Sequence, residues 1–111
     1  MLNWFKKQPQ DRTDRQDTWA FDQGPTVAAL TLRSITSKQE PILHVVHDAD
    51  DHSWQFLTLD VADPAEAVMV SMRSIVALDP SVQEVADLPP GWRAWRSSKQ
   101  ASWQRSRIDD D

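Results

Sequence analysis

Residues 42 to 59 read Ile42-Leu43-His44-Val45-Val46-His47, Asp48-Ala49-Asp50-Asp51-His52-Ser53 and Trp54-Gln55-Phe56-Leu57-Thr58-Leu59. The first and third blocks are rich in the β-branched and aromatic residues that favour strands. The block between them holds the small and acidic residues that favour turns. We therefore predict an antiparallel hairpin with strands at 42–47 and 54–59 and an exposed acidic loop between them.

Two further apolar runs flank this hairpin. Residues 26–32 are bounded by Gly24-Pro25 and by polar Arg33-Ser34, which favours a short buried strand over a helix. Residues 67–70 are apolar, short and bounded, and we predict a fourth strand there. A single helical turn is predicted at 34–37.

Two short helices are predicted after the fourth strand. Ser71 is a suitable N-cap, and Asp79-Pro80 both ends the first helix and begins the second. Helical spacing of apolar residues supports both helices: Met72, Ile75 and Val76 in the first, Val82, Val85 and Ala86 in the second. The predicted fold is α+β, a small single domain with an antiparallel sheet of about four strands and short helices packed on one face.

Composition limits the class of protein. The chain has 111 residues, 40% of them hydrophobic and 26% charged, which indicates one globular domain. It has no cysteine, which excludes disulfides, cysteine-ligated metals and thiol catalysis. No signal peptide and no run of about 18 to 20 apolar residues is evident, so we expect a cytoplasmic protein with no membrane partner.

Charge and polarity divide the chain into three parts. Residues 1–17 are polar and aperiodic, and we predict a mobile N-terminal arm. Residues 18–105 are predicted to form the α+β domain, and residues 106–111 an acidic C-terminal tail. The net charge is −5, and residues 18–87 alone carry −8. This sign disfavours nucleic acid and favours a basic protein partner.

Histidines and carboxylates near the hairpin suggest a metal site, but their spacing argues against one. Side chains alternate along a strand, so His44 and His47 point to opposite faces. No Gly-x-Ser-x-Gly elbow and no glycine-rich phosphate loop is present. We predict no catalytic residue, no metal and no cofactor, and we expect Trp54 and Phe56 to lie in the core.

Residues 88–108 contain no acidic residue, and tryptophans alternate there with basic side chains. This pattern fits a nucleic-acid stacking platform, a protein-binding hot spot, or indole rings packed under arginine stems. The net negative charge disfavours the first. We expect at least one of Trp92 and Trp95 to pack on the domain. The candidate partner-binding residues are Trp92, Arg93, Trp95, Arg96, Trp103, Asp48, Asp50 and Asp51.

Several segments together resemble a known group of proteins: Pro41-Ile42-Leu43-His44-Val45, Trp54-Gln55-Phe56-Leu57, Val70-Ser71, Ile75-Val76-Ala77-Leu78-Asp79-Pro80-Ser81, Ala86-Asp87-Leu88-Pro89-Pro90-Gly91-Trp92 and Ala94-Trp95-Arg96. The chain is similar, over about residues 20 to 105, to small uncharacterised bacterial proteins related to a domain of unknown function grouped with immunity proteins of polymorphic toxin systems. The loops at 37–40 and 51–52 depart from that pattern. The resemblance implies a stand-alone α+β domain that binds protein, and it supplies no catalytic residues.

Two classes of function stay open from the sequence. One is a non-catalytic interaction protein, such as an immunity-like inhibitor, whose acidic middle segment attracts a basic partner. The other is a small enzyme or small-molecule-binding domain of unknown substrate, which needs a concave pocket with converging polar groups.

Overall fold

A mixed six-stranded sheet forms the centre of the domain in the computed structural model, which describes residues 19–108. The strands are β1 (Ala28–Leu32), β2 (His44–His47), β3 (Trp54–Leu57), β4 (Ala67–Ser71), β5 (Trp92–Trp95) and β6 (Gln104–Arg107). Their order across the sheet is β4-β1-β3-β2-β5-β6. The predicted hairpin is confirmed: β2 and β3 pair antiparallel, with Val45 opposite Phe56, and Asp50 and Asp51 of the loop are exposed.

The predicted sheet of about four antiparallel strands is wrong in two respects. There are six strands, and β1 runs parallel to β3 with Leu30 opposite Gln55. The parallel pair arises because the connection at 33–43 carries the chain past one strand position before β2 begins. The hairpin then returns β3 into the vacant position beside β1.

Within residues 19–108, four short helices accompany the sheet: the α-helices α1 (Arg33–Thr36) and α2 (Met72–Leu78), and the 3₁₀ helices Pro64–Glu66 and Pro80–Val85. The predicted caps are confirmed. The Ser71 hydroxyl accepts a hydrogen bond from the Ser74 amide at 3.1 Å, and Asp79 Oδ1 accepts one from the Ser81 amide at 3.0 Å. The second predicted helix is 3₁₀ rather than α.

The core lies between one face of the sheet and the helices. Val45, Phe56 and Ala94 are fully buried on that face, together with Trp54, and Phe21 meets the Trp54 ring edge-on at 4.9 Å. The helices supply Ile35, Met72, Ile75, Val82 and Val85 to the same core cluster. Trp54 and Phe56 are therefore core residues, as predicted.

Only one of the two predicted domain boundaries falls within the described residues. The predicted N-terminal arm, residues 1–17, lies outside the described residues. The boundary predicted after residue 105 falls inside β6, whose Arg105 contacts Asp87 at 2.9 Å and donates to the Glu84 carbonyl at 3.0 Å. Within residues 19–108, no helix is long and apolar enough to cross a membrane.

Candidate interaction surface on the open sheet face

The sheet has one face covered by the core and one face that the helices leave open. Directly paired residues in neighbouring strands lie on the same face, so the register identifies the members of each face. The buried side chains of the helices all belong to the core cluster. Ten residues of the other side, leaving out the two ends of the β1–β4 pair, define what we call the open face: Leu30, His44, Val46, Gln55, Leu57, Met69, Arg93, Trp95, Gln104 and Ser106.

Apolar side chains make up half of the open face, and none of its ten residues carries a carboxylate. Met69 is 59% exposed, and Leu30, Val46 and Trp95 are half-buried by their neighbours on the same face. The paired residues run from Met69 through Leu30, Gln55 and Val46 to Arg93. This row is apolar except for Gln55, and it ends in a cation.

Arg93, Trp95 and His44 form a compact cluster at the β5 side of the open face. The Arg93 guanidinium lies 4.3 Å from the centroid of the Trp95 ring, and its Nη1 lies 3.5 Å from His44 Nε2. Burial, and secondarily the charge of Arg93, lowers the pKa of His44 below its ordinary value. The imidazole is consequently neutral at neutral pH, and Arg93 is the cation of the cluster.

Arg96 is also among the predicted partner-binding residues, but it lies inside the protein. Its side chain donates to Asp79 Oδ2 at 2.7 Å, to the Ile42 carbonyl at 2.9 Å and to Ser81 Oγ at 2.9 Å, and it is 2% exposed. The Trp103 ring covers the guanidinium at 4.1 Å. Arg96 is therefore part of the buried interior, and Trp103 packs on it and against the core cluster.

Trp92 lies on the core side of β5, opposite His47. It packs against the core cluster, so the prediction that one of the two strand tryptophans packs on the domain is confirmed. Gly91 precedes it with φ +86°, a left-handed backbone conformation that glycine adopts without strain, and accepts the Ile108 amide at 2.8 Å. Of the predicted Trp and Arg set, only Arg93 and Trp95 lie on the open face.

The predicted acidic residues lie in the β2–β3 loop at one end of the sheet. Asp48 accepts the Asp50 amide at 2.7 Å and Asp51 accepts the Ser53 amide at 2.9 Å, so two of the three carboxylates shape the turn. The hydrogen bonds from Ser53 lower the pKa of Asp51. A second set of acidic residues follows β3 at the opposite end of the sheet; its members are Asp60, Asp63 and Glu66. The acidic middle segment therefore does not form one surface.

An Asp and His contact that sequence reasoning missed holds the chain before β1 onto the core. Asp22 Oδ1 accepts a hydrogen bond from the Trp54 indole at 2.8 Å, and its Oδ2 lies 3.3 Å from His47 Nε2. The other His47 nitrogen lies 2.6 Å from the Leu88 carbonyl oxygen, and the ring stacks on Trp54 at 3.9 Å. Both nitrogens of this buried ring face protein acceptors, which indicates a structural histidine.

The described part of the chain contains no group of three or more His, Cys, Asp or Glu side chains able to hold a metal ion. An open groove of about 580 Å³ lies between the 38–43 and 97–100 segments, with Lys38, Glu40 and Lys99 at its rim. Its one buried carboxylate, Asp79, is already paired with Arg96. The groove therefore offers no free buried acid or base.

Comparison of the chain with models of protein families, with curated proteins and with solved structures found no match. The resemblance to immunity-type proteins stays a prediction.

Proposed function

We propose that this protein is a non-catalytic interaction domain that binds a partner protein through the open face. The observation that carries the proposal is the row of paired residues from Met69 to Arg93, apolar except for Gln55, which ends in the Arg93 and Trp95 pair. Tryptophan and arginine are enriched at the energetically dominant positions of protein interfaces. Because strands hold these side chains, little conformational entropy is lost when a partner docks.

The charges around the open face indicate which charge the partner carries. The open face has no carboxylate, yet acidic groups flank it at both ends of the sheet, at 48–51 and at 60–66. A complementary partner therefore presents an apolar patch bordered by basic residues. The net charge of −5 accelerates encounter with such a protein. An immunity-like inhibitor of a basic protein fits this description, and the family resemblance supports it.

The alternative, a small enzyme or small-molecule-binding domain, has less support. It depends on the groove near Lys38 and Lys99, where the buried acid is already neutralised by Arg96. Catalysis by general acid or base needs a titratable group free to reach the substrate.

Paired affinity capture tests the proposal. The full chain, Trp95→Ala and Arg93→Ala are compared with two control variants on native lysate, and each retained protein is then purified. Val61→Ala and Arg33→Ala serve as controls because both residues are exposed and lie outside the open face.

The expected result is one purified protein that binds the wild type and both controls with equal affinity and binds Trp95→Ala at least about tenfold more weakly. Its association rate should fall as salt is raised from about 0.05 to 0.5 M. Equal binding by Trp95→Ala and Arg93→Ala would contradict the proposed surface.

A further inference from the structure

The strand β4 lies at one edge of the sheet and lacks the features that normally protect such an edge. Its sequence, Ala67-Val68-Met69-Val70-Ser71, has no charge and no proline, and it pairs regularly with β1 over all five residues. Strand β6, at the opposite edge, carries Arg105 and Arg107. Exposed, uncharged and regular edges are templates for pairing with another chain.

The backbone groups of Met69 point away from β1. The Met72 amide donates to the Val27 carbonyl at 2.8 Å, and the same register continues along the strand. In an antiparallel ladder every second residue pair is hydrogen-bonded, so the backbone N–H and C=O groups of Val68 and Val70 also face β1. The backbone N–H and C=O groups of Met69 therefore face outward, away from β1. No described residue pairs with β4 on its outer side.

From this geometry we infer that two copies of the protein form a symmetric dimer in which their β4 strands pair antiparallel about a two-fold axis at Met69. In this arrangement the two Met69 residues donate to each other's carbonyl oxygen as a hydrogen-bonded pair. Val68 of each copy lies opposite Val70 of the other. The two sheets become one twelve-stranded sheet, and the two open faces become continuous.

Charges at the ends of β4 favour this antiparallel register over a parallel one. Asp63 and Glu66 precede the strand, and Arg73 follows it at the start of α2. Antiparallel pairing brings the N-terminal end of one β4 strand beside the C-terminal end of the other. Glu66 of one copy therefore lies near Arg73 of the second copy, and all these side chains are exposed in the single chain. The two-fold axis repeats this attraction between Glu66 and Arg73, so it occurs twice in each dimer.

Apolar contact also favours a second copy of the chain. Met69 is the most exposed apolar member of the open face, at 59%, and it meets its own copy across the axis. On the helix side of β4, a shallow groove is lined by Val70, Ala77 and Leu78. Because Val68 of the second copy lies opposite Val70, its side chain is directed to this groove.

Cysteine cross-linking of the full chain tests the dimer, since the natural sequence has no cysteine. In a hydrogen-bonded antiparallel pair the Cα atoms are about 5.5 Å apart, which is within disulfide range. Met69→Cys should therefore oxidise to a covalent dimer at micromolar concentration. The control is Val61→Cys, which is 98% exposed and lies in the connection between β3 and β4, outside the paired strand. Equal cross-linking of the two variants would overturn the inference.

Sedimentation velocity of the uncross-linked chain completes the test. The wild type should form dimers, and Met69→Lys should weaken dimerisation at least about tenfold because like charges meet at the axis. Glu66→Arg and Arg73→Glu should each weaken the dimer, and the double variant should restore it. A monomeric wild type, or a Met69→Lys variant that folds and still forms the dimer, would contradict the proposed interface. Neither result depends on the partner proposed for the open face.

Discussion

Arg93 and Arg96 are three residues apart on one extended segment and project to opposite sides of the sheet. Arg93 lies on the open face beside Trp95, whereas Arg96 is buried against Asp79 at 2.7 Å. Side-chain alternation along the strand produces this separation. One arginine is thus available to a partner, and the other stabilises the fold.

Replacement of the two arginines should have very different effects on stability. Arg96→Ala leaves Asp79 as an uncompensated buried charge and removes donors from the Ile42 carbonyl, so we expect a loss of about 3 to 5 kcal/mol in the free energy of unfolding. Arg93→Ala should cost under about 1 kcal/mol. Urea denaturation of both variants measures the difference. Similar losses for both would show that the burial of Arg96 is energetically unimportant.

The two tryptophans of β5 should also differ. Trp92 packs against the core, so Trp92→Ala should lower the free energy of unfolding by about 2 to 4 kcal/mol. Trp95→Ala removes a ring from the open face and should cost no more than about 1 kcal/mol. Thermal unfolding monitored by circular dichroism measures both. A Trp95→Ala variant that fails to fold would assign Trp95 to the core instead.

Acidification should destabilise the protein through His44. Burial and then Arg93 lower the pKa of the folded-state ring below its ordinary value of about 6.5. The unfolded chain therefore binds the proton more readily, and the stabilising contribution of neutral His44 is lost as pH falls through and below about 6.5.

The difference in unfolding free energy between wild type and His44→Gln, measured from about pH 7.5 to 5, isolates this contribution. Wild type should lose more stability than His44→Gln over that range. His52→Asn is the control for removal of an exposed imidazole, and asparagine tolerates the positive φ of 61° at that position. Parallel curves for wild type and His44→Gln would contradict the assignment.

Removal of metal should leave stability unchanged. The described residues provide no ligand group of three or more, and the sequence has no cysteine. Thermal unfolding in the presence and absence of EDTA should give melting temperatures that agree within about 1 °C, since bound metal stabilises the folded state by linkage. A fall of several degrees with EDTA would contradict this prediction.

Much of the fold could be predicted from local pattern. The β2–β3 hairpin, the Ser71 cap and the Asp79-Pro80 helix start depend on neighbours within a few residues, and all three are present. The β1–β3 pairing could not be predicted, because nothing local shows that the hairpin places β3 beside β1. Strand β6 was missed because Gln104-Arg105-Ser106-Arg107 has no apolar alternation; tertiary pairing with β5 makes it a strand.

The candidate surface was only partly predictable. The Trp and Arg pattern drew attention to β5, but the pattern alone could not show which of its side chains are buried, so Arg96 and Trp92 stand among the candidate partner-binding residues. No sequence pattern marked Leu30, Val46 or Met69 as members of a common surface. They join Trp95 on one face only when the strand order is known, because they come from separate parts of the chain.

The central claim is that the open face contacts the partner. The protein has six tryptophans, and the NMR signals of their indole N–H groups can show which of them lie at the interface. In a ¹H–¹⁵N titration with the purified partner, the indole signal of Trp95 should shift or broaden most. The signal of Trp54, which is buried and bonded to Asp22, should change least. An unchanged Trp95 signal, with changes confined to the amides of the acidic loop at 48–53, would contradict the account.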